Sequence, residues 1–264
     1  MFETSGTHEN DKKIKMKKLV GRLILVMAFI ALNACATTSN RETEMPVQPA
    51  ASAETLKTDP FENTNRKIFA FNEKFDEKIL TPFSRGYRNV LPRPVRIAIY
   101  NFFSNTAEGR NLINSLLQGK LKNSVDSFSR LFINSTLGLF GLIDIATLTG
   151  LERHVEDVGQ TLAVWGFGFG PYVVIPIIGS SSGRDLFGLY SYFFYTDPLR
   201  YMTDTATRFS LLVLDMVDTR SRYLRASSVF SFASLDPYQF ARESYFQQRL
   251  DFIYDGRPPI ENYE

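Results

Sequence analysis

The feature that most constrains this chain is its single cysteine, Cys35, together with the residues before it. Three lysines between positions 15 and 18 precede an apolar run over residues 19–32, and the small residue Ala34 stands just before the cysteine. A basic region, an apolar region and a small residue at the cleavage point are the three parts of a secretory signal peptide. Because no second cysteine exists, no disulfide can form within the chain, and packing or a membrane must stabilise the fold.

The signal peptide ends in Leu32-Asn33-Ala34-Cys35, which resembles a bacterial lipobox. After such a motif the cysteine becomes the N-terminal residue and carries fatty acyl chains such as palmitate. Each buried methylene contributes about 0.8 kcal/mol, so two or three chains anchor a protein stably whereas one does not. Ala36 follows the cysteine, instead of the aspartate that retains lipoproteins at the inner membrane. We therefore predict lipidation at Cys35 and localisation at the periplasmic face of the outer membrane.

The composition predicts one folded domain after a tether. Residues 1–34 comprise an upstream segment and the signal peptide, with Met16 as the expected start of translation; residues 35–58 comprise the lipidated cysteine and a tether rich in Thr, Ala, Glu and Pro. Residues 59–256 form the domain and residues 257–264 a short tail. Without residues 1–34 the chain is near neutral, which argues against nucleic acid as a partner.

Asp-Pro pairs punctuate the domain and predict helix starts, because aspartate caps a helix N-terminus and proline fits its first position. These pairs are Asp59-Pro60, Asp197-Pro198 and Asp236-Pro237. Together with long 3.6-residue periodicities and few alternating runs, they predict a mostly helical single domain.

The apolar residues of the first helix are expected on one stripe, and Pro82 is expected either to end that helix or to follow its end. The stripe contains Ile68, Phe71, Phe75 and Ile79. A second element is predicted over residues 91–105, and a third over residues 108–118, ended by Gly119. The apolar face of a fourth helix carries Val125, Phe128, Leu131 and Phe132. Later helices are predicted over residues 184–195, 205–219 and 237–254.

Three segments are more apolar than a surface helix needs, namely residues 137–148, 172–178 and 189–195. None reaches the roughly 18 to 20 apolar residues that cross a bilayer. Packing in a soluble core explains these segments, and insertion into one leaflet explains them equally well. The predicted lipid anchor strengthens the second interpretation.

One pattern suggests enzymatic chemistry. Ser181 lies in a G-x-S-x-G pattern at residues 179–183, which is typical of the nucleophile elbow of lipases and esterases. His154 is the single histidine beyond the signal peptide, and it precedes Ser181, whereas the order in these hydrolases is serine, acid, histidine. We therefore predict that the protein is not an enzyme and that His154 is an exposed loop residue. A phospholipase using Ser181 and His154 is the least favoured alternative.

The sequence predicts neither a metal nor a cofactor. One histidine and an acylated cysteine leave only carboxylates as ligands, and no acidic run has the spacing of a calcium loop. The stretch at residues 166–170 resembles a phosphate-binding loop superficially. It lacks the third glycine, the preceding strand and the lysine that such loops require.

Residues 165–183 alternate glycine with aromatic residues and carry few charges. One interpretation is a close backbone crossing beneath the core. The other is the wall of a passage for a half-apolar molecule such as a phospholipid, whose headgroup enters hydrocarbon at a cost of several kcal/mol. Under the second interpretation the wall residues are Trp165, Gly166, Phe167, Gly168, Phe169, Gly170, Pro171 and Tyr172.

Short motifs recur in a familiar order along the whole domain. In the first half they include Asp59, Pro60, Asn65, Arg66, Phe71, Asn72, Arg130, Asn134 and Asp144. In the second half they include Gly159-Gln160-Thr161-Leu162, the stretch at 165–172, Arg184-Asp185 and Asp236-Pro237-Tyr238. Together they resemble the MlaA (VacJ) family of outer-membrane lipoproteins over roughly residues 57–254.

The resemblance implies a mostly helical, ring-shaped domain that is monotopic in the inner leaflet of the outer membrane. Its amphipathic channel would take mislocalised phospholipid from the outer leaflet and pass it to a soluble periplasmic lipid carrier, and a trimeric porin is the implied partner. By the same resemblance, Phe71 and Asn72 fall in a segment that directs the channel to the correct leaflet. A structural lipoprotein that supports envelope integrity without transport is the alternative.

Overall fold

The computed structural model describes residues 59–192, 199, 202, 204–233 and 235–258. The signal peptide, Cys35, the tether, the Asp197-Pro198 pair and most of the tail lie outside these residues. Helices dominate the described part, which confirms the predicted fold class. None of the helices within it combines the length and the apolar character needed to cross a membrane.

The elements follow one another along the chain with short connections. In order they are α1 Glu62–Phe75, a π-helical segment Asp76–Leu80, α2 Thr81–Val90, α3 Arg93–Leu117, α4 Leu121–Thr136, α5 Ile145–Leu148, α6 Val158–Val164, β1 Tyr172–Ile175, β2 Gly179–Ser182, α7 Gly183–Ser191, α8 Thr205–Ala233 and α9 Pro237–Ile253. The most extensive helix pairings are α3 with α4 and α2 with α8.

The first predicted helix start is displaced. Helix α1 begins at Glu62 with Phe61 at the N-cap, so Asp59 does not cap it. Instead, one Asp59 carboxylate oxygen accepts hydrogen bonds from the Phe61 amide at 3.2 Å and from Nδ2 of Asn65 at 2.9 Å. At the start of α9, in contrast, Asp236 caps as predicted by accepting from the Tyr238 and Gln239 amides.

Helix α1 ends at Phe75, so Pro82 follows its end, which is the second of the two possibilities predicted. The Thr81 amide donates to the carbonyl of Asp76, five residues back, which is the pattern of a π-helix. This wider turn brings Pro82 into the first turn of α2, where its missing N–H costs nothing. The predicted apolar stripe of the first helix does not face the core, since Phe71 and Ile79 are both about half exposed.

The predicted second and third elements are one helix. Helix α3 runs for 25 residues through positions 105–108, because Thr106 and Ala107 contain no helix breaker. Its end is as predicted: Gly119 follows the C-cap residue Gln118 and has φ of 75°, a left-handed conformation that favours glycine.

The apolar segment at residues 172–178 forms most of a β-hairpin. Strands β1 and β2 pair antiparallel, with Tyr172 opposite Ser182 and Ile175 opposite Gly179. Ile177 in the connecting turn has positive φ (69°), and so has Gly179 at the start of β2 (106°). The hairpin packs on α1 and α9 and carries part of the small apolar core. That core consists of Phe169, Tyr172, Val174, Tyr238 and Phe246.

Candidate functional site

The described residues bury polar side chains and expose large apolar ones, the inverse of a water-soluble helical bundle. Their largest fully buried side chains include Arg130, Gln160, Glu108 and Glu156. The exposed side chains include Phe140 (82%) and Leu148 (80%). Soluble monomers rarely expose large contiguous apolar patches, so this distribution indicates a surface that meets an apolar environment.

Helices α3 and α4 show this inversion along their length, with polar residues recurring every three or four positions on the buried face. On α3 the buried residues are Asn105, Glu108, Asn111, Asn114 and Ser115, and on α4 they are Ser124, Ser127, Arg130 and Asn134. The fourth helix is thus confirmed, but its predicted apolar face points outward. Val125, Phe128 and Phe132 on that face are exposed.

Arg130 is the centre of the polar interior. Its Nε donates to Oε1 of Glu108 at 2.9 Å, and its other nitrogens donate to Asp144 at 3.0 Å and to the Leu151 carbonyl at 2.9 Å. Asn134 donates to the same Asp144 carboxylate at 3.0 Å. Burial alone would raise the pKa of Asp144, but hydrogen bonds from Thr147, Asn134 and Arg130 hold that pKa at about 2. A buried charge is tolerated because it is paired and fully hydrogen-bonded in this way.

A second buried ion-pair cluster joins α6, α7 and α9. Arg249 donates to Asp157 at 2.6 and 3.0 Å and to Asp185 at 3.1 Å, while the Tyr245 hydroxyl donates to Asp185. Burial and the neighbouring Asp185 raise the pKa of Tyr245, so the phenol remains a donor. Gly159 packs directly against this cluster, which leaves no room for a side chain at position 159. A Cβ at that position would lie 2.3 Å from Oδ1 of Asp185.

A third cluster joins α1, the hairpin and α9. The Tyr238 hydroxyl donates to Asp59, and Arg66 donates to the Asp236 carboxylate at 2.8 Å. Asn65 bonds the hairpin backbone, donating to the Tyr172 carbonyl and accepting from the Val174 amide, each at 3.0 Å. The motif residues that carried the family resemblance therefore form the joints between elements.

The predicted passage residues fall in two environments. Trp165 and Phe167 are more than half exposed, whereas Phe169 and Tyr172 are buried in the apolar core. Phe169 also lies under Arg184, whose guanidinium carbon is 4.2 Å from the ring centroid. The two buried aromatic residues therefore form core, while the exposed ones stay candidates for a surface or wall. Gly166, Gly168, Gly170 and Pro171 are all exposed.

Phe71 and Asn72, the other two candidates, point in different directions. Phe71 is exposed and stacks on Phe75 with ring centroids 6.4 Å apart. Asn72 instead binds the hairpin, since its Nδ2 donates to the Ile175 carbonyl at 2.9 Å and its Oδ1 accepts from the Ile177 amide at 2.7 Å.

Ser181 and His154 are not arranged as a nucleophile and base. Ser181 lies within β2, paired with Val173, and not on a strand-to-helix elbow. His154 lies in a loop as predicted, but it is half-buried and not exposed, and its Nε2 lies 3.0 Å from an Asp126 oxygen. Glu152 completes a group of potential ligand atoms within 4.8 Å of one another. Lys122 already binds this group, at 2.9 Å from Glu152 and 3.7 Å from Asp126.

Two cavities adjoin the buried clusters and share three lining residues. One, of about 210 Å³, lies between α3 and α8; the other, of about 400 Å³, lies among the hairpin, α6, α7 and α9. Both are lined by Arg110, Tyr192 and Asp215. Their walls also contain charged, aromatic and aliphatic residues, including Tyr100, Phe103, Arg153, Leu189 and Leu212. Such a lining suits a ligand that is partly charged and partly apolar.

The apolar-residue periodicity did not reveal the residues that build this interior. Glu108, Arg110, Asp157, Asp215 and Arg249 were not identified from the sequence. For α3 a signal was present, because its polar residues repeat at helical spacing. Asp157 also carried a local signal, because it caps α6 by accepting from the Gln160 amide. For Asp215 and Arg249 no local sequence signal exists.

Fold and site define a class: helical proteins with an apolar exterior, a polar ion-paired interior and amphipathic cavities. The family model described as MlaA lipoprotein matches residues 57–251. This chain therefore belongs to the MlaA lipoprotein family.

Individual relatives agree with this assignment. The chain is 34% identical over 204 residues to the protein of Escherichia coli (strain K12) named intermembrane phospholipid transport system lipoprotein MlaA, covering 76% of this chain and 80% of that one. Identity to the protein of the same name from Haemophilus influenzae is 28% over 238 residues, covering 89% and 91%. An uncharacterised protein of Rickettsia bellii is 36% identical over 191 residues, covering 72% and 75%.

A solved structure has the same fold. It was reported under the heading "Structural basis for maintenance of bacterial outer membrane lipid asymmetry", and it matches with a TM-score of 0.67 and 36% sequence identity. The match covers 75% of this chain and 99% of the other.

Proposed function

We propose that this protein is the outer-membrane component of an intermembrane phospholipid transport system. In this role it removes mislocalised phospholipid from the outer leaflet through an amphipathic passage and passes it to a soluble periplasmic carrier. The proposal is supported by relatives named for intermembrane phospholipid transport and by a similar structure reported for lipid asymmetry.

The single observation that carries the proposal is the inverted polarity of α3 and α4. A water-exposed domain with Phe128, Phe132 and Phe140 outward would aggregate, whereas acyl chains would cover these side chains favourably. A polar interior is the arrangement expected of a protein that holds a headgroup path at membrane depth. The exposed apolar side chains also offer a face for a trimeric porin.

Transport of this kind needs no bond to be broken. Moving a phospholipid headgroup out of water without hydrogen-bond partners costs several kcal/mol of free energy. Polar cavity walls supply such partners and so lower the barrier to transfer. The separation of Ser181 from His154 in different hydrogen-bond networks supports a protein that is not an enzyme. An acylated Cys35 would keep the domain at the membrane surface throughout the transfer.

The decisive experiment measures outer-leaflet phospholipid in cells that lack the gene. The strain is complemented with the wild type or with the double variant Ser181→Ala, His154→Ala. We expect phospholipid to accumulate without the gene and both versions to restore the wild-type level.

Each other outcome favours a named alternative. Rescue by the wild type alone would indicate a phospholipase. Normal outer-leaflet phospholipid in the deletion strain would leave an envelope-integrity lipoprotein without transport, and the proposal would be wrong.

A further inference from the structure

The two cavities meet at a pair of oppositely charged side chains. Arg110 extends from α3 and Asp215 from α8, and both line both cavities. Other charged residues in these walls are already bound: Arg249 holds Asp157, and Arg153 donates to the Tyr100 hydroxyl. Arg110 and Asp215 are different, because each has unused binding capacity.

Arg110 forms no side-chain hydrogen bond and no ion pair with any residue that the structure describes. Its Nε is buried and lacks an acceptor. Its guanidinium carbon lies 5.2 Å from the centroid of the Tyr192 ring. A partly desolvated guanidinium with free donors binds phosphate in a two-point geometry that a lysine cannot reproduce.

Asp215 is likewise without a hydrogen bond or ion pair within the described part of the chain. Burial and the charge of Asp218 raise its pKa, whereas the charges of Arg222 and Arg110 lower it. A carboxylate that is half-buried and unpaired is stabilised by a cation brought within contact distance. The cavity thus presents one open anion site beside one open cation site.

We propose that Arg110 and Asp215 bind the two charges of a zwitterionic phospholipid headgroup, with the phosphate on Arg110 and the ammonium on Asp215. This inference rests on the proposed transport function and adds headgroup selectivity to it. An anionic phospholipid without an ammonium would leave Asp215 unpaired and repelled by the phosphate. The site therefore selects phosphatidylethanolamine over phosphatidylglycerol, and apolar wall residues such as Phe103 and Leu212 accommodate the glycerol and acyl region.

The test measures lipid affinity of the purified full-length protein in neutral detergent. Phosphatidylethanolamine and phosphatidylglycerol with identical acyl chains are titrated against the wild type, Arg110→Met and Asp215→Asn. We expect Arg110→Met to lower the affinity for both lipids by roughly tenfold to a hundredfold, the range for loss of a charge-assisted hydrogen bond. Asp215→Asn should lower the affinity for phosphatidylethanolamine alone, by roughly tenfold, and so abolish the preference for this lipid over phosphatidylglycerol.

Matched controls carry the same substitutions outside the cavities. Arg85→Met on α2 and Asp251→Asn on α9 alter exposed residues and should leave both affinities unchanged. If Arg110→Met does not fold, Arg110→Lys replaces it, and an intermediate loss is expected because the charge is kept without the fork. Soluble phosphorylethanolamine at the same concentration as the lipid should not displace the lipid. Full displacement would refute a lipid as the ligand.

The outcomes separate this inference from the transport function. A wild-type protein that binds neither lipid would contradict the proposed function itself. A wild-type protein that binds both lipids, with affinities that Arg110→Met and Asp215→Asn do not change, would overturn only the headgroup site.

Discussion

Asn65 and Asn72 lie two helical turns apart on α1 and bind the backbone of the same hairpin. Asn65 pairs with Tyr172 and Val174 at 3.0 Å, and Asn72 pairs with Ile175 and Ile177 at 2.9 and 2.7 Å. Each amide side chain uses one donor and one acceptor, as a neighbouring strand would. The hairpin position is therefore determined by the seven-residue spacing between the two asparagines.

Deletion of Ala70 and Phe71 should change the direction of lipid movement without abolishing it. Removing two residues rotates the part of α1 beyond them by about 200°, so Asn72 can no longer reach the hairpin turn while Asn65 still holds β1. We expect an abnormal outer-leaflet phospholipid level, distinct from that of the deletion strain, at a normal amount of protein. The measurement is outer-leaflet phospholipid.

The point variant Asn72→Ala is the control for this deletion. It removes the same two hydrogen bonds without rotating the helix, and we expect a weaker effect in the same direction. A normal lipid distribution in the two-residue deletion, at equal protein level, would contradict the prediction.

Arg130→Met should destabilise the protein strongly. Arg130 and Glu108 are each about 1% exposed, and loss of the guanidinium leaves buried carboxylates without their cation. We expect a loss of about 3–5 kcal/mol in the free energy of unfolding. Lys122→Met, on the same helix but exposed, should change the free energy of unfolding far less, because solvent screens its ion pairs. Denaturant unfolding in detergent micelles measures both, and equal losses would show that the interior network does not stabilise the fold.

Acid should destabilise the protein through Asp144. Its folded pKa of about 2 lies below the value of about 3.9 in unfolded chains. Stability is therefore fully present above pH 4 and is lost as the pH falls from about 4 to about 2. Because the carboxylate is partly exposed, we expect a contribution of about 1–2 kcal/mol. The variant Asp144→Asn should be less stable at pH 7 and show a shallower loss over that interval; an unchanged slope would exclude Asp144 as the cause.

The outward phenylalanines of α4 should hold the domain in lipid. Phe128 and Phe132 are exposed and stack with ring centroids 6.4 Å apart. The test uses a variant chain in which a cleavable, non-lipidated signal peptide replaces residues 1–35. In this chain, changing both phenylalanines to aspartate should lower the affinity for lipid vesicles at least about 100-fold, because each buried ring contributes about 1.5–3 kcal/mol. Changing both to leucine should preserve binding. Equal flotation of all three chains would argue against insertion.

The sequence predicted the helical class, the end of α3 at Gly119 and the capping of α9 by Asp236, because these depend on neighbouring residues. It failed at Asp59, whose carboxylate bonds a distant tyrosine instead of capping a helix. This error arises because the competing contact is tertiary. The π-helical turn before Pro82 was not predicted either.

The sequence by itself determined the family of the chain and the polarity of each helical face. The order of the motifs gives the family, and the helical periodicity of polar and apolar residues gives the faces. Only the tertiary structure decided which face is buried. Hydrophobic periodicity has the same period whether the apolar stripe meets a core or a lipid. The buried face is the one on which Arg130 contacts Glu108 and Asp144 from neighbouring elements. Arg249 contacts Asp157 and Asp185, which lie 92 and 64 residues away in the chain.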